Sequence, residues 1–166
     1  MMSDLDKIIV HDTRDIPGKH KNVDDWLTAN GYTIVRSKLF VGDVTFLQNQ
    51  SVCIDLKQDV LELAMDVYQQ HTRFRNELIR AQENGIQLIV LIEEELPHGN
   101  LAEWVSPVYK ANTGKHKRGE AISKINPVNL RKALLTMQEK YDAKFRFCSK
   151  DKTGEYIIKY LKGEKK

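Results

Sequence analysis

The chain has 166 residues, 41% of them hydrophobic and 30% charged, with a formal net charge of +3; this fits a single folded domain with a substantial core and excludes a largely disordered protein. The longest apolar run, around residues 88–92, is far too short to span a membrane, and the opening Met-Met-Ser-Asp-Leu-Asp-Lys has neither a basic leader nor an apolar stretch. An intracellular protein without a membrane segment is expected, and the modest basic excess by itself selects no partner.

Residues 7–11 are predicted as a strand, 20–29 as a helix stopped by Asn30-Gly31, and 32–36 as a second strand. Asn and Gly both tolerate the left-handed conformation that ends a helix. Residues 39–57 read as a hairpin, with residues 44–47 and 52–54 apolar or β-branched on either side of Asn49-Gln50. A two-residue loop there sets Asp55 opposite Val44 and diagonal to Asp43; a three-residue loop sets Asp43 and Asp55 face to face. In either register the carboxylates are neighbours, and Asp55 and Lys57 share a strand face while Leu56 points to the core.

Two helices follow, over about 59–69 and 71–84. In the second, Phe74, Leu78 and Ala81 make an inward stripe and leave Arg73, Arg75 and Arg80 to solvent or phosphate. Residues 86–92 are a continuous apolar run that suits a strand covered on both faces, and Glu93-Glu94-Glu95 reads as its solvated end. Residues 107–119 form a long irregular stretch carrying Lys110, Lys115, His116, Lys117 and Arg118 without an acid, either a solvated loop or one that lies along a phosphate backbone. Asn126-Pro127 opens a helix to about Tyr141 with Val128, Leu130, Leu134, Leu135 and Met137 as core candidates; a strand at 144–148 and a helix over about 151–161 close the chain. Cys53 and Cys148 read as buried free thiols, Trp26 and Trp104 as packing residues, and His11, His20 and His98 as structural or exposed. Together these elements predict an α/β domain with a central mixed sheet flanked by helices on both sides.

Asp43, Asp55 and Lys57 carry the chemistry. Two clustered carboxylates repel unless a positive charge lies between them, and hard oxygen ligands suit Mg²⁺ or Mn²⁺. A metal held there can activate water and stabilise a leaving oxygen, while Lys57 could orient the water or offset charge building on a phosphate. An Asp-x-Lys on a strand is equally the polar face of a half-exposed strand, so the short motif alone does not decide.

Five segments in order resemble the XPF-type branch of the PD-(D/E)XK nuclease superfamily, with its restriction-endonuclease-like core. Residues 8–15, Ile-Ile-Val-His-Asp-Thr-Arg-Asp, are similar to its first strand and Asp-x-Arg-Glu motif, with Asp15 where Glu is usual. Gly42-Asp43-Val44 resembles Gly-Asp-Tyr, and Asp55-Leu56-Lys57 stands in the place of Glu-Arg-Lys. Residues 73–78 with the strand at 89–94, and residues 145–149 with the final helix, are similar to the elements that follow, so the resemblance covers about residues 7–162 of one nuclease domain spanning 1–166. Two departures stand out: Leu61 fills a position where the family usually has Asp, with Glu62 the nearest acid, and Glu77 stands where Gln is usual.

The resemblance implies a Mg²⁺- or Mn²⁺-dependent DNA endonuclease, structure-selective for flaps, forks or junctions. It implies Asp43 and Asp55 as metal ligands, Asp12 as a group that binds or orients the metal, Lys57 acting on water or phosphate, and Arg14 and Arg73 positioning the site. Glu62 is a possible further acid, and Arg73, Arg75, Lys110, Lys115, Lys117 and Arg118 are candidate DNA contacts. A homodimer is implied, and a protein partner could supply branch recognition. The alternatives are a catalytically silent nuclease-like module that binds DNA or protein, and a small nuclease acting on duplex ends.

Overall fold

The structure, a computed structural model, describes residues 3–105 and 126–163. The predicted basic loop with Lys110, Lys115, Lys117 and Arg118 lies outside the described residues.

Six strands, β1 (Ile8–His11), β2 (Thr33–Arg36), β3 (Val44–Phe46), β4 (Val52–Lys57), β5 (Gln87–Ile92) and β6 (Lys144–Phe147), form one mixed sheet in the order β2-β1-β3-β4-β5-β6. Strand β3 runs antiparallel to both its neighbours, and the other adjacent pairs are parallel. Among the described residues five α-helices cover it: α1 (Lys21–Ala29), α2 (Val60–Tyr68), α3 (His71–Glu83), α4 (Pro127–Tyr141) and α5 (Thr153–Leu161). The expected fold class is therefore the observed one, with element ends within about two residues of those predicted except at the start of the hairpin, where residues 39–43 precede β3.

Period-two alternation in the central strands sorts the core into two layers. Leu88, Val90 and Ile92 of β5 face a layer built with α2, α3 and α4, while Ile89 and Leu91 face one built with α1 and α5. In β4, Cys53 belongs to the first layer and Ile54 and Leu56 to the second. Asp55 and Lys57, in phase with Cys53, therefore point toward α2 and α3, and that places the site.

Two expectations change. Glu93 is not solvated: it is 3% exposed, accepts hydrogen bonds from Asn22 Nδ2 and Thr153 Oγ1 at 2.8 Å each, and pairs with His20 Nδ1 at 2.8 Å. Residues of α1, of α5 and of the loop before α1 thus converge on the end of β5, and a carboxylate there satisfies their polar groups. Glu94 accepts from the first N–H of α2, at Val60, and from Trp104 Nε1, which leaves Glu95 as the exposed member of the run. Val128 and Leu135 of α4 are 43% and 47% exposed, because this helix buries the stripe of Leu130, Leu134 and Tyr141, and the other two lie off it. Both cysteines are free and buried, Trp104 is buried, and Trp26 packs so tightly on α5 that a Cβ at Gly154 would come within 2.6 Å of its ring.

Candidate active site

The hairpin places the carboxylates. Val44 pairs with Ile54, the register expected of a three-residue loop, although residues 47–51 make the connection. Asp43 lies just beyond the end of β3, where Gly42 turns the chain with φ +74° and packs so closely that a Cβ would sit 3.1 Å from Ile54 O. The Asp43 N–H donates to Ile54 O at 2.7 Å, and its carbonyl accepts from Asp12 N at 2.7 Å. With the β3 ladder ended, the Leu56 N–H has no main-chain partner on that side and donates to Asp43 Oδ2 at 2.7 Å. One carboxylate oxygen is thus fixed by backbone, on the strand that carries Asp55.

An open cleft of about 820 Å³ lies over these residues, lined among others by Asp12, Arg14, Asp43, Asp55, Lys57, Glu62, Asp66, Arg73, Glu77 and Arg80. Lys57 Nζ, almost fully buried, is 2.8 Å from Asp55 Oδ2, contacts Asp66 Oδ2 still more closely, and lies over the Phe74 ring at 5.5 Å. Burial opposes the charge on Lys57, but Asp55 and Asp66 outweigh it and raise the pKa. Lys57 is a held cation, suited to meet negative charge on a phosphate and unsuited to accept a proton from water. Burial raises the Asp66 carboxyl above the usual range in spite of Lys57.

Asp12 has four protein donors: Arg14 N at 2.7 Å and Nε at 3.0 Å on Oδ1, with Arg14 Nη2 at 2.7 Å and Leu39 N at 2.9 Å on Oδ2. Against the effect of burial, these bonds hold Asp12 below the ordinary carboxylate range. Its oxygens are committed to holding Arg14 at the cleft edge. Asp15 is buried and pairs with His11 Nε2 at 2.6 Å, while His11 Nδ1 lies 2.9 Å from Asp24. Burial lowers the His11 pKa, but the two carboxylates prevail and raise it to about 9. Glu62 accepts from Lys19 Nζ at 3.0 Å and from Gln58 N at 3.2 Å. Arg73 is exposed and lines the cleft, whereas Arg75, also exposed, does not.

Two acids stand in the site without having been assigned a role from sequence. Asp66 takes up Lys57 from α2. Glu77 of α3 accepts from Gly42 N at 3.3 Å; burial first, then the charge of Asp55, raises its pKa from 4.5 to about 7. Arg73, Glu77 and Arg80 follow i, i+4, i+7 spacing, one helix face opening on the cleft beside the buried stripe of Phe74, Leu78 and Ala81. Because folded Glu77 holds its proton more tightly than the unfolded chain does, each rise in pH between about 4.5 and 7 favours unfolding. Without divalent ions, Glu77→Gln should remove that pH-dependent loss and raise the Tm at pH 7 by roughly 5 °C over wild type, with little difference at pH 4; thermal melts across this range check it.

Enclosure of the Asp43 carboxyl and the neighbouring charge of Asp55 push the Asp43 pKa well above the usual range. Asp55 Oδ2 is buried, and its partner is the Lys57 ammonium at 2.8 Å. Among the described residues no three His, Cys, Asp or Glu side chains lie at metal-ligand spacing. The carboxylates nonetheless fit a hard divalent cation: they repel one another, and all are oxygen ligands beside an open cleft.

The mixed sheet, with Asp55 and Lys57 on β4 and Asp43 beside the end of β3 at one cleft, defines an α/β domain with a carboxylate-and-lysine site. A family model for the ERCC4 domain matches residues 11–160, and the chain belongs to that family. Among solved structures it is similar to XPF from Aeropyrum pernix, with TM-score 0.64 and 17% identity over 93% of this chain and 63% of that one. It is also similar to XPF from Aeropyrum pernix in complex with DNA, with TM-score 0.60 and 17% identity over 94% of this chain and 64% of that one. The chain thus spans under two thirds of the length of these structures. Comparison with curated protein sequences finds no match. Among the described residues no helix is long and apolar enough to cross a membrane.

Proposed function

We propose that this domain is a Mg²⁺- or Mn²⁺-dependent endonuclease that hydrolyses DNA phosphodiester bonds, with selectivity for flaps, forks or junctions. The observation that carries the reading is the pair of Asp43 and Asp55, coupled in charge and set beside a pinned lysine in one open cleft. Membership of the ERCC4 domain family and the likeness to an XPF structure with DNA support it.

Asp43 and Asp55 would hold the metal, with Glu77 as a third acid. The ion, when bound, would lower the pKa of a water and polarise the phosphoryl oxygen. Lys57, kept cationic by Asp55 and Asp66, offsets charge that grows on the phosphate. Arg14, fixed by Asp12, and Arg73 on the first turn of α3 grip backbone phosphates on either side. Asp12 acts by orienting Arg14, since its oxygens already have donors. Branch recognition comes from this domain, from a second copy of it or from a protein partner.

Calorimetric titration with Mn²⁺ separates this reading from a silent binding module. Wild type should bind the ion, and Asp43→Asn and Asp55→Asn should each lose at least about tenfold in affinity. Equal binding by all three proteins would remove the metal from the two carboxylates and favour the silent module.

A further inference from the structure

Phe40 is the one side chain of its segment that is both large and apolar yet turned outward. Its neighbours Leu39 and Val41 are buried at 5% and 1% exposure, while Phe40 is 54% exposed. The backbone just before it is fixed by two bonds: Leu39 N donates to Asp12 Oδ2 at 2.9 Å, and Leu39 O accepts from Arg14 Nη2 at 2.7 Å. Arg80, which lines the cleft, donates from Nε to Phe40 O at 3.1 Å, and its guanidinium carbon lies 5.6 Å from the Phe40 ring centroid. Arg36 and Lys38 are exposed on the same segment, and residues 36–42 contain no acid. An apolar ring is thus held against Arg80, which lines the acidic cleft, in basic surroundings and by contacts that also build the site.

We propose that Phe40 and Arg80 form a stacking platform for an unpaired nucleobase next to the scissile phosphate. This rests on the DNA nuclease reading and deepens it by naming a determinant of branch selectivity. A base inside a duplex already stacks on both faces, so an exposed aromatic ring gains a partner only where a base is unpaired, as at a flap or fork. Arg80 contributes the positive edge that favours a π-face and a neighbouring phosphate. The platform is pre-ordered by its backbone bonds, so little entropy is lost on stacking.

The test is equilibrium binding, in EDTA, of a flap carrying 2-aminopurine at the unpaired position beside the branch and of a linear duplex of the same length. Wild type should quench the 2-aminopurine. Phe40→Ala should lose the quench and weaken flap binding by roughly 5- to 100-fold, the loss of one base–aromatic stack, with duplex binding changed by less than about twofold. Phe40→Trp should keep both the quench and the affinity, which separates stacking from damage to the loop. Equal losses on flap and duplex, no loss on either, or failure of Phe40→Trp to retain the flap would each overturn the platform. Binding of neither DNA by wild type would instead remove the nuclease reading, and the platform with it.

Discussion

Asp55→Asn should reduce metal-dependent DNA cleavage by at least about 100-fold while leaving DNA binding in EDTA in place. The amide fits the space of the carboxylate but withdraws the charge that a divalent cation needs, on the strand where Lys57 and the Asp43-bound Leu56 N–H are already fixed. The same change should not cost the fold. Asp55's charge is one of the causes that raise the pKa values of Asp43 and Glu77, so its removal lets both ionise nearer the ordinary range. The lost ion pair with Lys57, which keeps Asp66, opposes this relief, so the metal-free Asp55→Asn variant should melt close to wild type near pH 7. Single-turnover cleavage beside a thermal melt reads both effects, and a large fall in Tm would show that Asp55 is held by structure more than by metal.

Lys57→Ala should act on fold and chemistry together. Lys57 is the cation between Asp55 and Asp66, and its side chain is 9% exposed. Removing it leaves two enclosed carboxylates without that partner, a change of about 3–5 kcal/mol for a broken buried ion pair. The Tm should drop by about 10 °C and cleavage should fall with it. Mn²⁺ should recover part of the lost stability in this variant, because a bound cation can take over some of the compensation that Lys57 provides. Melts with and without Mn²⁺ check this; a variant as stable as wild type would mean that Lys57 contributes little to the apo fold.

Local pattern carried far in this chain. Asn30-Gly31, the apolar run at 86–92 and Asn126-Pro127 each reported nearby backbone requirements, and the elements they bound stand where they were expected. Asp55 and Lys57 were legible for the same reason, since strand alternation forces residues two apart onto one face. Contacts made between elements were not legible. Glu93 read as a solvated acid because nothing in its neighbourhood announces that His20, Asn22 and Thr153 will gather on it from distant positions. Asp66 lies nine residues beyond Lys57, and only the packing of α2 on the sheet brings the two together. Its signal was available in the i, i+4 pair Glu62 and Asp66, which share a helix face toward the cleft. Glu77 was visible as a departure from the resembled pattern, and its i+4 spacing from Arg73 could have placed it beside the carboxylates.

The most direct measurement is cleavage of end-labelled flap, fork, four-way junction and linear duplex DNA by the purified chain, with Mg²⁺, Mn²⁺ or EDTA. Cutting that requires the divalent ion, favours a branched substrate and disappears with Asp55→Asn is the predicted result. DNA binding without cutting under every metal condition, unchanged by Asp55→Asn, would contradict a metal-dependent nuclease and leave a domain that uses the same cleft only to bind.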